Sequence, residues 1–446
     1  MTNRTLIIII LVILIVVGIG GYWFWSKNMV PQPVTTADQN PPQFVPLNRP
    51  GQSNTNQTGQ NGNGTSTGAY NTSPSRVAQL PVLRLISNTP IGGYAASTTA
   101  STTLIRWIDR GRGNIYETKS NTLDVKILST TLLPRVYNSV WNKSAMAFIG
   151  MMLPGNTATP SALYATLTGH SIAPVASTTA RMSASTTATA IATPTASPVA
   201  SFAPYDLKGK QLPDNTTAIA ASPAGDRIFF LVKEGIGSSG YTANFDGTKV
   251  TKIFTTPLTQ LNVEWPVNNI LAITTKGNST EDGFLYFVNP STGVWKKVLG
   301  PYAGLSTRVS HDGKHVLIST PGQNSNVVTN IYTVASGSGT DAVINTLADK
   351  CAWGNFYKDL VYCAVPFQPV LGTYPDDWYT GILSTVDKMW EVNATTGEVR
   401  MVGQIIGQAG RVIDAFNLGL DSKDSYLFFM NKNDLSFWSL DLVRSN

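Results

Sequence analysis

From residue 81 onward, short apolar runs alternate with polar ones, and the runs come in pairs joined by polar tips. Six pairs share the pattern: NSVWNKSAMAFIGMM from 138, AIAASPAGDRIFFLV from 218, LNVEWPVNNILAITT from 261, STRVSHDGKHVLIST from 306, KCAWGNFYKDLVYCAV from 350 and FNLGLDSKDSYLFFM from 416. Alternation of period two, β-branched and aromatic content, and turn residues at the tips predict a β-hairpin for each. A second strand–turn–strand unit follows each hairpin, for example NIYETKSNTLDVKILS from 114 and KMWEVNATTGEVRMVG from 388. The last of these, LSFWSLDLVRSN from 435, stops after its first strand.

The tips fall at Asn142, Pro223, Pro266, His311, Asn355 and Ser422, and three of the five intervals are close to 44 residues. That is about the period of one four-stranded propeller blade. The two longer intervals hold insertions, an Ala/Thr/Ser/Pro-rich stretch at about 157–203 and a loop at about 366–386. The strand missing after residue 435 is expected from PVLRLIS at 81–87, which would close a ring and leave no open sheet edge. With YAASTTASTTLIRWIDRG (94–111) as the first inner hairpin, the fold class is an all-β, seven-bladed β-propeller over 81–446, with six and eight blades as alternatives.

Ahead of the propeller the pattern changes. Residues 6–25, beginning at Leu6 and ending at Trp25, carry no charge; at ~1.5 Å per residue they span ~30 Å, the hydrocarbon thickness of a bilayer. Bulky Tyr22, Trp23 and Trp25 close the run in place of a small-residue cleavage site, so residues 1–27 are expected to stay as a single transmembrane anchor. Residues 28–80, rich in Asn, Gln, Gly, Ser and Thr, predict a disordered tether, since ordering them would bury almost nothing. The expected topology places the N-terminus in the cytoplasm and the propeller outside the cell membrane.

Composition narrows the partners. Charged residues make up 13% of the chain, about half the usual share. The net charge of +6 is spread thinly, without the clustered cations that a nucleic-acid surface needs. No Gly-rich phosphate loop, nucleophile elbow or metalloprotease helix is present. No catalytic residue, metal site or cofactor is expected.

The tips SPAGDRIFFLV and SHDGKHVLIST resemble the short repeat of TolB-like, WD40-like bacterial propellers, although Pro or Asp is replaced in each. The anchor, tether, KCAW…YCAVP and YPDDWY together also resemble an uncharacterised family of membrane-anchored bacterial propellers. The resemblance implies fold and surface display, and no reaction.

Cys351 and Cys363 are the only cysteines, and the hairpin between them folds about Tyr357. That register sets them directly opposite each other, ~4.5 to 5.5 Å apart at Cα, within disulfide range. In an oxidising compartment they form a structural bridge; in a reducing one, two buried thiols. His311 and His315 bracket a turn and are expected to be exposed turn residues. Arg106, Arg110 and Arg112 could dock an acidic ligand or decorate a blade turn. The loop GTYPDDWYTG supplies the ligand-binding candidates: Tyr374, Trp378 and Tyr379 as flat faces, Asp376 and Asp377 as hydroxyl or cation partners. The alternative is that its rings pin the loop to the propeller while the aspartates shape a turn. The expected function is a non-catalytic binding or scaffold module for protein partners in the cell envelope. A polysaccharide-binding or glycan-processing propeller using 372–381 is the alternative.

Overall fold

The computed structural model describes residues 80–153, 160–169, 204–323 and 326–445. The expected anchor at 6–25 and the tether up to residue 79 lie outside the described residues, as does most of the Ala/Thr-rich stretch. No helix among the described residues is long and apolar enough to cross a membrane.

Strands among the described residues form seven antiparallel sheets of four. Blade 1 runs outward from the axis as Ile91–Thr98, Thr103–Asp109, Ile115–Lys119 and Lys126–Ser129. Blades 2 to 6 repeat that order, their innermost strands being Val136–Trp141, Thr216–Ala221, Leu261–Val267, Ser306–Val309 and Cys351–Trp353. Blade 7 takes Ala415–Leu420, Tyr426–Asn431 and Phe437–Asp441 from the end of the chain and its outer strand, Leu83–Ser87, from the start. Leu83 pairs with Leu440, Arg84 with Ser439 and Leu85 with Trp438. The strand exchange expected from 81–87 is therefore present.

The core is divided among the gaps between blades. The second strand of each blade is buried on both faces, so its alternate residues serve different neighbours. In blade 3, Ile228, Phe230 and Val232 pack toward blade 2 with Ile149 and Met151, while Phe229 and Leu231 pack toward blade 4 with Leu271 and Ile273. In blade 7, Phe428 faces Ile105 and Trp107 of blade 1, and Phe429 faces Ala364 and Met389 of blade 6. Seven such clusters link every blade to the next, including blade 7 to blade 1. Each fully buried Phe, Leu or Ile is worth about 1.5–3 kcal/mol, so ring closure comes from packing as much as from the exchanged strand.

Two elements lie inside the expected insertions. Ser161–Gly169 is the third strand of blade 2, so part of the 157–203 segment belongs to the sheet. Within 366–386, residues Asp376–Thr380 form one short helix, α1, ending on Gly381 at φ 81°.

Cys351 and Cys363 are bridged, and their register is the one predicted: Cys351 opposite Cys363, Trp353 opposite Val361. Both are buried in the gap between blades 5 and 6. The bridge closes a sequence separation of 12, for which loop closure gives ~3 kcal/mol. Its reduction is expected to loosen blade 6 by up to that amount without opening the ring. Alkylation of denatured, unreduced protein followed by mass analysis should find both thiols blocked; two free thiols would contradict the bridge.

Candidate functional site at the two mouths of the ring

Four hairpin tips share one turn although only two share a sequence. Gly225 and Gly313 adopt φ 73° and 71°, and Ala145 and Asp424 take the same place at φ 56° and 54°. In each, the backbone N–H of that residue donates to the carbonyl three residues earlier: Asn142, Ser222, Ser310 and Asp421. The side chain of that earlier residue then takes part in the turn. Asn142 Oδ1 accepts from the Met146 and Ala147 amides, Ser222 Oγ donates to Asp226, Ser310 Oγ to Asp312, and Asp421 Oδ1 accepts from the Ser425 and Tyr426 amides.

These tips converge at one end of the ring around a cavity of about 580 Å³. All seven blades reach it, through Tyr94, Trp141, Pro223, Trp265, His311, Asn355 and Ser422. Lys143 and Lys358 also line it, and no Asp or Glu does. Beside Lys358, the exposed Phe356 and Tyr357 meet edge to face at 4.8 Å. The tip that carries them is fixed by Asp424, whose carboxylate accepts the amides of Asn355, Phe356 and Tyr357 at 2.7, 3.0 and 2.9 Å. Burial raises the pKa of Asp424, against the pull of those three donors. His311 is half-buried rather than exposed; its Nδ1 lies 3.1 Å from the Gly354 carbonyl, and burial lowers its pKa.

At the opposite end the 367–386 segment crosses the mouth. The aromatic side chains of its YPDDWY stretch turn inward: Tyr374 and Trp378 are buried, and Tyr379 is half-buried. Trp378 Nε1 donates to both oxygens of Asp414 at 3.1 Å. Tyr379 donates to Asp349 at 2.7 Å, an oxygen that Ser306 also reaches at 2.6 Å. Asp376 accepts from the Ser279 amide of blade 4, and Asp377 from the Thr373 amide inside the loop. Tyr374 donates to the Val370 carbonyl, and burial pushes its pKa up to about 12. Of the two readings of the loop, these contacts are those of pinning rings and turn-shaping aspartates. Tyr374 and Trp378 nevertheless line a cavity behind the loop, between blades 5 and 6.

Two charge clusters were not anticipated from the sequence. Lys350 is fully buried, with Nζ 2.8 Å from Asp387, bonded to Asp414, and 2.6 Å from Thr385 Oγ1. Its ammonium lies 5.4 Å from the Trp378 ring centre, and that of Lys432 lies 5.2 Å away. Burial raises the pKa of Asp387, while Asp414, also opposed by burial, is held low by Lys350 and its hydrogen bonds. Along the axis, Arg308 pairs with Glu264 at 3.0 Å across blades 5 and 4. Burial raises Glu264, and although burial also opposes the guanidinium charge, Glu264 and Asp349 raise Arg308. The three arginines near residue 110 do not assemble: Arg106 is buried against Glu117 and the Ala145 carbonyl, leaving Arg110 and Arg112 at the turn.

No family model matches the chain, and no curated protein matches it. The chain is similar to several solved structures at low identity. TolB from Acinetobacter baumannii is 10% identical over 76% of this chain, with a TM-score of 0.39, and the chain spans 63% of that protein. An oligogalacturonate lyase from Vibrio parahaemolyticus is 9% identical, covering 81% of this chain and 92% of that one, with a TM-score of 0.48. An acylaminoacyl peptidase from Pyrococcus horikoshii is 11% identical, covering 76% and 48%, with a TM-score of 0.41. None of these likenesses bears on chemistry; the seven-bladed propeller rests on the sheet order.

Proposed function

We propose that the chain is a non-catalytic binding propeller of the cell envelope, held at the membrane through residues 6–25, with its ring outside the cytoplasm and a protein partner seated on the tip face. The observation that carries this reading is the convergence of all seven blades on one mouth. That mouth offers tryptophan and proline surfaces, two lysines and no carboxylate among its lining residues, which suits an apolar segment bearing negative charge. Phe356 and Tyr357 extend the apolar contact beside it. The glycan reading is less well supported, because the rings of Tyr374 and Trp378 give no open platform to a sugar.

The test is site-specific photocrosslinking in intact cells, from position 358 on the tip face and from position 340 on the outer strand of blade 5. A discrete protein adduct at 358, lost in the Lys143→Glu variant and absent at 340, is expected. Equal crosslinking from both positions would refute a tip-face site. A membrane-impermeant amine reagent added to the same cells should label propeller lysines; protection until lysis would reverse the topology.

A further inference from the structure

The cavity behind the 367–386 segment has chemistry of its own. Its volume is about 400 Å³, within the range of small-molecule sites. Val327, Leu347, Val365 and Val370 supply aliphatic walls, and Trp378 and Trp390 supply rings. Two lysines, Lys350 and Lys388, reach it, and no Asp or Glu is among the lining residues.

The two ammonium groups are not equivalent. Lys350 is neutralised from behind by Asp387 and Asp414. Lys388 has no carboxylate within ion-pair distance among the described residues; its Nζ lies 4.1 Å from the centre of the half-exposed Phe367 ring. An aromatic face is a weak substitute for an anion. Asn326, Asn345, Thr346 and Thr385 also line the cavity, which is a slot with aliphatic and ring walls, a few polar side chains and one uncompensated positive charge. A cationic ligand would be repelled there. A purely apolar ligand would leave Lys388 without an anion.

We propose that this cavity binds a small single-chain anionic amphiphile, an acyl chain lying between the valines and tryptophans with its carboxylate on Lys388. The volume favours one chain of medium length over a two-chain membrane lipid. The proposal is independent of the tip-face reading, because the two cavities share no lining residue.

The test is equilibrium dialysis of labelled octanoate against the full chain in zwitterionic nanodiscs, with empty nanodiscs subtracted and octanol as the uncharged comparison. Octanoate should bind saturably and more tightly than octanol. Lys388→Gln should weaken octanoate at least about fivefold and leave octanol unchanged, and Val365→Trp, which fills the slot, should abolish both. Circular dichroism of each variant establishes folding; the rim substitution Lys388→Gln keeps the test valid if Val365→Trp does not fold. Absence of saturable octanoate binding would overturn the proposal. So would equal affinity for octanol with no response to Lys388→Gln, or tighter binding of dihexanoyl phosphatidylglycerol than of octanoate.

Discussion

Lys350→Ala is expected to destabilise the propeller by about 3–5 kcal/mol, the range for breaking a buried ion pair from one side. The lysine is fully buried, and its removal leaves Asp387 and Asp414 as two buried carboxylates sharing one site with no cation between them. Both report on the 367–386 segment, since Asp414 also holds the Trp378 indole and Thr385. Urea unfolding should show the loss, and limited proteolysis should cut the segment earlier than in the wild type. The pH dependence separates this from a simple cavity. In the wild type, Asp414 is held low, so its contribution is present above the unfolded value near pH 4 and fades as pH falls through its depressed folded value. In the variant the ammonium no longer opposes burial: burial and the mutual repulsion of the two carboxylates push their folded values up, against only the hydrogen bonds that remain from Trp378, Thr385 and the Ala415 amide. A raised carboxyl favours the folded state below about pH 4 and loses that advantage as pH rises. The deficit of Lys350→Ala should therefore be largest at neutral pH and shrink on acidification. A deficit under about 1 kcal/mol, or one constant with pH, would show that the cluster does not hold this end of the ring.

The sequence was most legible where function and fold depend on local register. The disulfide pairing follows from the symmetry of Cys351 and Cys363 about Tyr357, because the side-chain period of a strand leaves no other facing. The exchanged strand was legible for a topological reason: a last unit with one strand missing needs a donor. The tip turn was only half legible. Gly225 and Gly313 announce a left-handed residue, but Ala145 and Asp424 adopt it without glycine, held by the acceptor at the start of each tip. Lys350 could not be read at all. Asp387 and Asp414 are distant in sequence, and the pairing is made by inter-blade packing, which no local pattern encodes. The only signal was acids opening otherwise apolar strands, VDKMW and IDAFN, in a chain poor in charge. The YPDDWY loop shows the complementary limit. Residue types indicated aromatic contact, but whether the rings faced solvent or the propeller depended on partners such as Asp349 and Asp414 in other segments.

Deleting residues 81–88 from the full chain is expected to have the largest effect of any change of that length. These residues contact no proposed ligand cavity, so the loss would be one of closure. Leu83 and Ile86 are 7% exposed and pack on opposite sides of blade 7, Leu83 toward blade 6 and Ile86 toward blade 1. Losing both would cost about 3–6 kcal/mol in burial alone. Arg84 adds a clip across the seam, with its guanidinium donating to Thr118 Oγ1 at 2.9 Å and to the Lys119 carbonyl at 3.0 Å in blade 1. The deletion would also bare Phe437–Asp441 as an unpaired edge, a template for association with a second chain. Light scattering should then report oligomers, and the thermal midpoint should fall by well over ten degrees or the transition should be lost. Ile86→Asp, a single buried charge facing Phe428 and Phe437, should reproduce the destabilisation in smaller measure. Adding a peptide of residues 81–88 should return the monomer if the edge is intact and only its partner is missing. An unchanged midpoint and a monomeric deletion variant would mean that the seam between blades 7 and 1 holds by packing alone and that the exchanged strand is dispensable.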